Sequence, residues 1–271
     1  MSDRPTPPAW RLPEGVNAAL WHYAHAPRLA DEEDDYFAGH PLFEADARAL
    51  DARFTAPAPL VDLGCGTGRH ALRFARRGFP VAAVDLSHAM LRKVRDKAQR
   101  DGLPMLCIEA NLCRLGAFPD GMFSYALSMF STLGMIRGRA ARRVALAEAC
   151  RLLRPGGRLA LHAHNLWLNL RDPQGRAWLA QRLPQIVLDR EDAGDRRMTY
   201  RGIPNMEVHL YRWRELKREL RDTGFLIDEV LPIDEVHAAP IAAPWLAQSW
   251  RAGGWLVFAH RPAASNRANQ I

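Results

Sequence analysis

The chain has 271 residues, of which 48% are hydrophobic and 25% charged, and its formal net charge at pH 7 is +7. This length and apolar content suit one large α/β domain with a small cap or insertion. No stretch approaches the roughly 18 apolar residues that a bilayer-spanning helix needs. The first residues, MSDRPTPPAW, have no apolar signal core. We therefore expect a soluble, cytoplasmic protein that does not act at a membrane.

The charged residues and the cysteines give no sign of a polyanion-binding surface or of a zinc site. Basic residues are dispersed and almost all are arginine, whereas a clustered charge would indicate a polyanionic partner. The acidic run at 31–35 is interpreted as a solvated helix face. The four cysteines, Cys65, Cys107, Cys113 and Cys150, have no zinc-ligand spacing, so we expect reduced thiols and no bound metal.

Short apolar strands alternate with amphipathic helices from Pro59 onward. A helical segment over residues 17–54 comes first. Strands are predicted at 60–63, 81–85, 105–108, 123–127 and 158–164, with helices after Gly66, after Ser87 and over 139–153. The alternation predicts a doubly wound, mostly parallel α/β sheet with helices on both faces.

The alternation breaks between Asn165 and Tyr211. This insertion contains one predicted helix, over 172–183, and a polar, arginine-rich stretch at 189–205. A helix over 213–220 and strands at 225–231 and 255–260 follow, which brings the sheet to seven strands. The connection between the last two strands is rich in proline and has no long helix, so we expect the last strand to be antiparallel.

The strongest motif is Val-Asp-Leu-Gly-Cys-Gly-Thr-Gly at 61–68, between the first strand and its helix. Glycines there allow a tight turn and a close approach of the backbone to a ligand. Asp85 ends the next strand, where an acidic residue can accept hydrogen bonds from a ribose diol. A dinucleotide fingerprint would need a third glycine at position 69, which is Arg69, so an NAD-dependent oxidoreductase is disfavoured.

Together these features resemble the class I S-adenosylmethionine (SAM)-dependent methyltransferases, which have a Rossmann-like fold. The resemblance covers 59–164 and resumes over 211–260. It implies that the glycine loop packs against the methionine half of SAM, that an acidic residue binds the ribose, and that the next residue lies beside the adenine. The residues that match these roles are Asp62, Gly64, Cys65, Gly66 and Gly68, then Asp85, then Leu86.

Two positions depart from the family pattern. Asn111, after Ala110, stands where an aspartate commonly binds the adenine amino group, although an amide oxygen can also accept from that group. The fourth strand has Phe-Ser at 123–124 where Phe-Asp is usual. The segment that begins at Ser128 and Met129 is expected to reach the sulfonium and the substrate.

The resemblance also implies a domain organisation, with SAM as cofactor, S-adenosylhomocysteine (SAH) as product, and no metal. We expect an N-terminal helical cap, a SAM-binding Rossmann-like core, a substrate-side insertion, the end of the core sheet and a tail. Their respective boundaries are 1–55, 56–165, 166–210, 211–262 and 263–271.

Methyl transfer by in-line displacement needs a positioned nucleophile, and a general base only where the acceptor is protonated. His162 and His164 share one face of the fifth strand, and His164, nearer its end, is the candidate base. The alternative is that these histidines pack with satisfied nitrogens. Candidate substrate contacts are aromatic residues of the cap and insertion, each of which packing alone also explains: Trp21, Tyr23, Tyr200 and Tyr211.

Three functions are compatible with this pattern. A small-molecule methyltransferase, with the insertion as a substrate lid, is preferred. A tRNA methyltransferase would use the arginines at 190–201 on phosphates, but no RNA-binding module is evident and the acidic run opposes it. A non-catalytic SAM-binding protein is the third. The pattern predicts neither the acceptor nor the oligomeric state.

Overall fold

The structure is a computed structural model that describes residues 6–234, 239–241 and 248–263. A 3-10 turn at Ala9–Arg11 leads into three helices, α1 (Ala18–His25), α2 (Pro27–Tyr36) and α3 (Pro41–Arg53). The Asn17 side chain accepts from the backbone N–H of Leu20 at 2.8 Å and begins α1. Pro27 and Pro41 occupy the first positions of α2 and α3, where a missing N–H leaves no helical bond unmade. The predicted helical segment is thus divided into three.

The central sheet confirms the predicted architecture. The strands are β1 (Leu60–Leu63), β2 (Val81–Asp85), β3 (Met105–Glu109), β4 (Phe123–Ser128), β5 (Leu153–His164), the separate hairpin β6 (Asp195–Tyr200) and β7 (Ile203–His209), then β8 (Leu226–Asp234), β9 (Ala239–Pro240) and β10 (Gly254–His260). The order in the central sheet is β3-β2-β1-β4-β5-β10-β8-β9, where β9 has two residues and the other seven are the strands expected. Strands β1 to β5 pair in parallel, and β10 is antiparallel to both β5 and β8.

Helices cover both faces of this sheet. After α3 they are α4 (Arg69–Arg76), α5 (His88–Arg100), α6 (Thr132–Met135), α7 (Arg139–Leu152), α8 (Pro173–Val187), α9 (Trp213–Asp222) and α10 (Gln248–Arg251). Leu60 packs towards α3, α4 and α5, whereas Val61 packs towards α7 and α9, because successive strand side chains point to opposite faces. Among the described helices, none has the length and apolarity needed to cross a membrane.

The polar stretch at 189–205, for which no strand was predicted, contains most of an antiparallel hairpin. β6 and β7 are joined by Arg201 and Gly202, whose φ angles are +49° and +81°. Positive φ at both loop residues is the geometry of tight two-residue hairpin loops. The insertion helix α8 also continues to Val187, past the predicted end at residue 183.

A buried ion network holds this hairpin against α7 and α9. His209, at the end of β7, bonds through Nδ1 to Asp195 at 2.6 Å and through Nε2 to Glu215 at 3.2 Å. Arg139 and Arg142 of α7 lie within 4.0 Å of carboxylates of the same network. Burial alone would lower the pKa of His209, but the bonds to Asp195 and Glu215 outweigh burial and raise that pKa above its ordinary value.

We expect His209→Gln to lower the free energy of unfolding by about 3 kcal/mol, because Asp195 and Glu215 lose the cation between them. A histidine whose folded pKa is raised stabilises the fold fully below its unfolded pKa, about 6.5, and loses that contribution as pH rises through the folded pKa. Urea melts near pH 6 and near pH 9 should therefore show a loss of stability in the wild type that is smaller in His209→Gln. His88→Gln, at an exposed His–Glu pair, is the control. Identical pH profiles for wild type and His209→Gln would refute this role.

Candidate functional site

A cavity of about 610 Å³ lies beyond the carboxyl ends of the parallel strands. Its floor is formed by the loops that follow β1, β2, β3, β4 and β5, its roof by α1 and α2, and one side by the β6–β7 hairpin. The order of strands reverses between β1 and β4, which is where open α/β sheets bind ligands.

The three glycines of the loop after β1 have different surroundings. A Cβ on Gly64, whose φ is +78°, would lie 2.3 Å from Cγ2 of Thr132. A Cβ on Gly68 would lie 2.9 Å from Cγ2 of Val94, away from the cavity lining. A Cβ on Gly66 would meet nothing closer than Oε1 of Glu33 at 3.8 Å and would enter the cavity. Gly64 and Gly68 thus allow close packing within the protein, while Gly66 leaves space for a ligand.

Two carboxylates lie beside the glycine loop in the cavity wall. Asp62 accepts from the backbone N–H of Ala71 at 3.1 Å, and burial raises its pKa to about 7. Asp85 accepts from the N–H of Gly66 through Oδ2 and from the N–H of Ser87 through Oδ1, both at 2.8 Å. Burial raises the pKa of Asp85, and these N–H groups oppose that effect. A carboxylate oxygen has more than one acceptor position, so Asp85 can order the glycine loop and still accept from a ligand.

Leu86, Ala110 and Asn111 form the adjacent part of the floor. The Asn111 side chain is already engaged, because Nδ2 donates to the carbonyl of Glu14 and Oδ1 accepts from the N–H of Cys113, each at 2.8 Å. A further bond to an adenine would therefore use the second lone pair of Oδ1. Asn111 also holds the segment before α1 over the cavity.

The turn after β4 has an unusual backbone. Phe130 and Ser131 have φ angles of +50° and +59°, which cost roughly 1–2 kcal/mol each outside glycine. The Ser131 N–H donates to the carbonyl of His162 at 3.0 Å and fixes the turn against β5. Met129, Phe130 and Ser131 line the cavity, and the Phe130 ring meets the His164 ring edge-on at 5.9 Å.

An aromatic wall continues from this turn into the cap. The rings of Phe130 and Phe43 are 4.7 Å apart, and Phe37 meets both edge-on at 5.2 and 5.3 Å. Arg69, the first residue of α4, places its guanidinium carbon 3.5 Å from the centre of the Phe43 ring. This part of the cavity suits an apolar, planar ligand.

The acidic run of α2 is solvated at four of its five residues, and Glu33 is the exception. Glu33 is only 9% exposed and lines the cavity. It pairs with Arg201 at the tip of the hairpin, whose guanidinium also donates to the carbonyl of Leu29 at 3.0 Å. Burial raises the pKa of Glu33, and Arg201 opposes that effect. The pair joins the cap to the insertion over the cavity. The neighbouring Asp34 pairs with Lys97 of α5.

Comparison with known proteins identifies one domain of the chain. Residues 60–157 match the family model of a methyltransferase domain. The demethylmenaquinone methyltransferase of Thermus thermophilus is 38% identical over 117 residues, which is 42% of this chain and 51% of that protein. A SAM-dependent methyltransferase from Methanosarcina mazei superimposes with a TM-score of 0.63 at 21% identity, over 79% of this chain and 97% of that one. Residues 60–157 form a methyltransferase domain, and the chain shares the fold of SAM-dependent methyltransferases.

Two other matches show the range of proteins with this fold. The 1,6-didemethyltoxoflavin-N1-methyltransferase of Burkholderia thailandensis, solved with its substrate and SAH, has a TM-score of 0.61 and 19% identity over 87% of this chain and 84% of that one. A SAM-dependent Diels-Alderase of Talaromyces variabilis is 36% identical over 106 residues, 38% of this chain and 35% of that protein. The chain spans about half the length of the first curated relatives that it matches.

Most of the residues predicted for the site of this methyltransferase domain line the cavity together. They are Asp62, Gly64, Cys65, Gly66, Asp85, Leu86, Ala110, Asn111, Met129 and His164, with Tyr23 and Tyr200 from the cap and hairpin. Their roles remain predictions.

Four predicted residues lie elsewhere. Gly68 packs against Val94, and Ser128 is buried in β4. Trp21 stacks on His25 at 3.9 Å and is not part of the cavity wall. Tyr211 is fully buried and donates from its hydroxyl to Glu219 at 3.2 Å, within the ion network of α7 and α9. Tyr211 therefore packs in the core, away from the cavity wall.

Several residues of the cavity wall were missed from sequence: Glu33, Phe43, Arg69, His70 and Arg196. His70 is 6% exposed, and neither ring nitrogen has a hydrogen-bond partner among the described residues. Burial lowers the pKa of His70 to about 4, so its imidazole is neutral at pH 7. Its place directly after the glycine loop was the available signal. In the described part of the chain, no cluster of side chains is suited to a metal ion.

Proposed function

We propose that the protein transfers a methyl group from SAM to a small-molecule acceptor. The observation that carries this proposal is one cavity with the glycine loop and Asp85 at one end and an aromatic wall at the other. Such an arrangement can hold a polar nucleoside and a planar acceptor in a single water-poor space.

The cofactor end fits SAM on two structural observations. Gly66 leaves open space where a Cβ would otherwise project, and Asp85 has acceptor capacity beyond its two backbone bonds. Asp85 would hold the ribose, Leu86 and Ala110 the adenine, and the glycine loop with Asp62 the methionine half. SAM, when bound, supplies a methyl group on an electrophilic sulfonium.

The chain's own contribution is to exclude water and to orient the acceptor. The Glu33–Arg201 pair closes the roof, and the aromatic wall restricts a planar acceptor to few orientations. His164 lies against Phe130 at the acceptor end and is proposed to take a proton or to orient the acceptor. His70 is a poor base near neutral pH, because burial lowers its pKa to about 4.

The alternative of a tRNA substrate is disfavoured by where the arginines of the insertion point. Arg196 donates to Asn169, Arg197 pairs with Glu207 at 3.0 Å, and Arg201 pairs with Glu33. Arginines bound to acceptors within the protein are not free to bind phosphate without losing those bonds. A SAM-binding protein that performs no methylation remains the second candidate, since one relative with this resemblance is a Diels-Alderase.

The test is incubation with methyl-labelled SAM and a bacterial extract divided into metabolite and RNA fractions, with Asp85→Ala as the inactive control. We expect label in the metabolite fraction only. Label in RNA would overturn the acceptor class. Label in neither fraction, from protein that binds SAM, would favour a non-methylating SAM-binding protein.

A further inference from the structure

Arg69 is a cation in the cavity wall that the protein itself does not neutralise. Its guanidinium carbon lies 3.5 Å from the Phe43 ring centre and 5.4 Å from that of Phe37. Among the described residues it makes no hydrogen bond or ion pair. The two acids that influence it electrostatically are engaged elsewhere, Glu33 by Arg201 and Asp34 by Thr67 and Lys97.

An arginine in this position is suited to one class of ligand group. Stacking on an aromatic ring leaves the edge of the guanidinium, with its N–H donors, free for another partner. A carboxylate fits that edge with two parallel hydrogen bonds and neutralises a partly buried charge. Arg196, the other arginine of the cavity lining, differs because it already donates to the amide oxygen of Asn169.

The position of Arg69 along the wall indicates which molecule would bring the carboxylate. The Phe43 ring beneath it packs on Phe130, and Phe130 packs on His164, so one aromatic surface joins Arg69 to the turn after β4. Resting on the function proposed above, we propose that Arg69 binds a carboxylate of the methyl acceptor, and that the acceptor is a planar aromatic acid. The ring would lie on the Phe43–Phe130 surface with its acid group at Arg69.

The test is calorimetry with the full chain saturated in SAH, using 4-hydroxybenzoate and its uncharged analogue 4-hydroxybenzamide as probes. We expect the acid to bind at least about tenfold more tightly than the amide, and Arg69→Gln to remove that preference. Arg69→Lys should keep part of it, because the charge remains while the forked geometry is lost. Arg73→Gln, which removes a surface ion pair with Asp51, should keep all of it.

A second arm separates the acceptor from the cofactor, which also has a carboxylate. SAH and 5′-methylthioadenosine, which lacks the amino-acid end, are titrated into wild type and Arg69→Gln. Unchanged binding of both supports the acceptor assignment. Weaker binding of SAH alone would place the methionine carboxylate at Arg69 and overturn it.

Equal affinity of wild type for the acid and the amide, or binding of neither at millimolar concentration, would also overturn the assignment. Thermal melts confirm that each variant folds, and Arg69→Lys carries the comparison if Arg69→Gln does not. Binding of SAH by the wild type is read separately, so failure of the proposed cofactor site is distinguishable from failure of the Arg69 assignment.

Discussion

Asp85→Ala is expected to weaken SAM binding by more than about tenfold, that is, by more than about 1.4 kcal/mol. Two losses combine in this variant. The ribose loses a charge-assisted acceptor, and the N–H groups of Gly66 and Ser87 lose the carboxylate that holds the glycine loop in place. Burial raises the pKa of Asp85, which means that the charged carboxylate is less favourable in the folded protein than in water. The effect on binding should therefore exceed the effect on the free energy of unfolding.

Calorimetric titration of SAH into wild type and Asp85→Ala measures this effect directly. Asp101→Ala is the matched control, since Asp101 pairs with Arg76 at the surface, where such pairs contribute about 0–1 kcal/mol. Thermal melts of the three proteins show whether the fold is kept. Unchanged SAH affinity in a folded Asp85→Ala would mean that the ribose is not bound at Asp85.

Gly64→Ala is expected mainly to lower the stability of the fold, and Gly66→Ala mainly to prevent SAM binding, although both glycines belong to one loop. At Gly64 a methyl group would lie 2.3 Å from Thr132 on a backbone with φ of +78°, so we expect a loss of about 2–4 kcal/mol of stability. At Gly66 the methyl group meets open space, so the left-handed backbone costs only about 1 kcal/mol. The methyl group of Gly66→Ala should nevertheless abolish SAM binding, because it would occupy the cavity.

Urea unfolding and SAH titration of both variants separate these effects. Gly64→Ala should have a much lower unfolding midpoint, and Gly66→Ala a near-normal midpoint with no measurable SAH binding. A Gly66→Ala protein that binds SAH normally would show that the cofactor does not approach the loop at this residue. A stable Gly64→Ala would show that Thr132 moves aside easily.

The sheet was predictable because its signals are local. Buried runs such as Leu60–Leu63 and Val81–Asp85 end at loops and need no distant partner to be recognised. The β6–β7 hairpin was not predictable from sequence. Arg196 and Arg197 obscure the apolar alternation, and Arg201 rather than asparagine stands in the loop before Gly202. Its tip is anchored through Arg201 to Glu33, 168 residues away in sequence.

In the candidate site, too, residues in local motifs were predictable and residues placed by distant contacts were not. Asp62 and Gly66 belong to one local motif, Asp85 ends the next strand, and the cavity brings the three together. Glu33 and the setting of Arg69 depend on how the cap docks on the sheet, which periodicity does not encode. The direction of the Tyr211 side chain was equally unreadable from sequence: its place at the end of the insertion suggested the substrate, and its hydroxyl donates to Glu219.

The most direct test of the account is a titration of SAH and, separately, NADH into the wild-type protein. We expect saturable binding of SAH, much weaker binding in Asp85→Ala, and no binding of NADH. Binding of NADH instead, or the absence of SAH binding by folded protein, would contradict it.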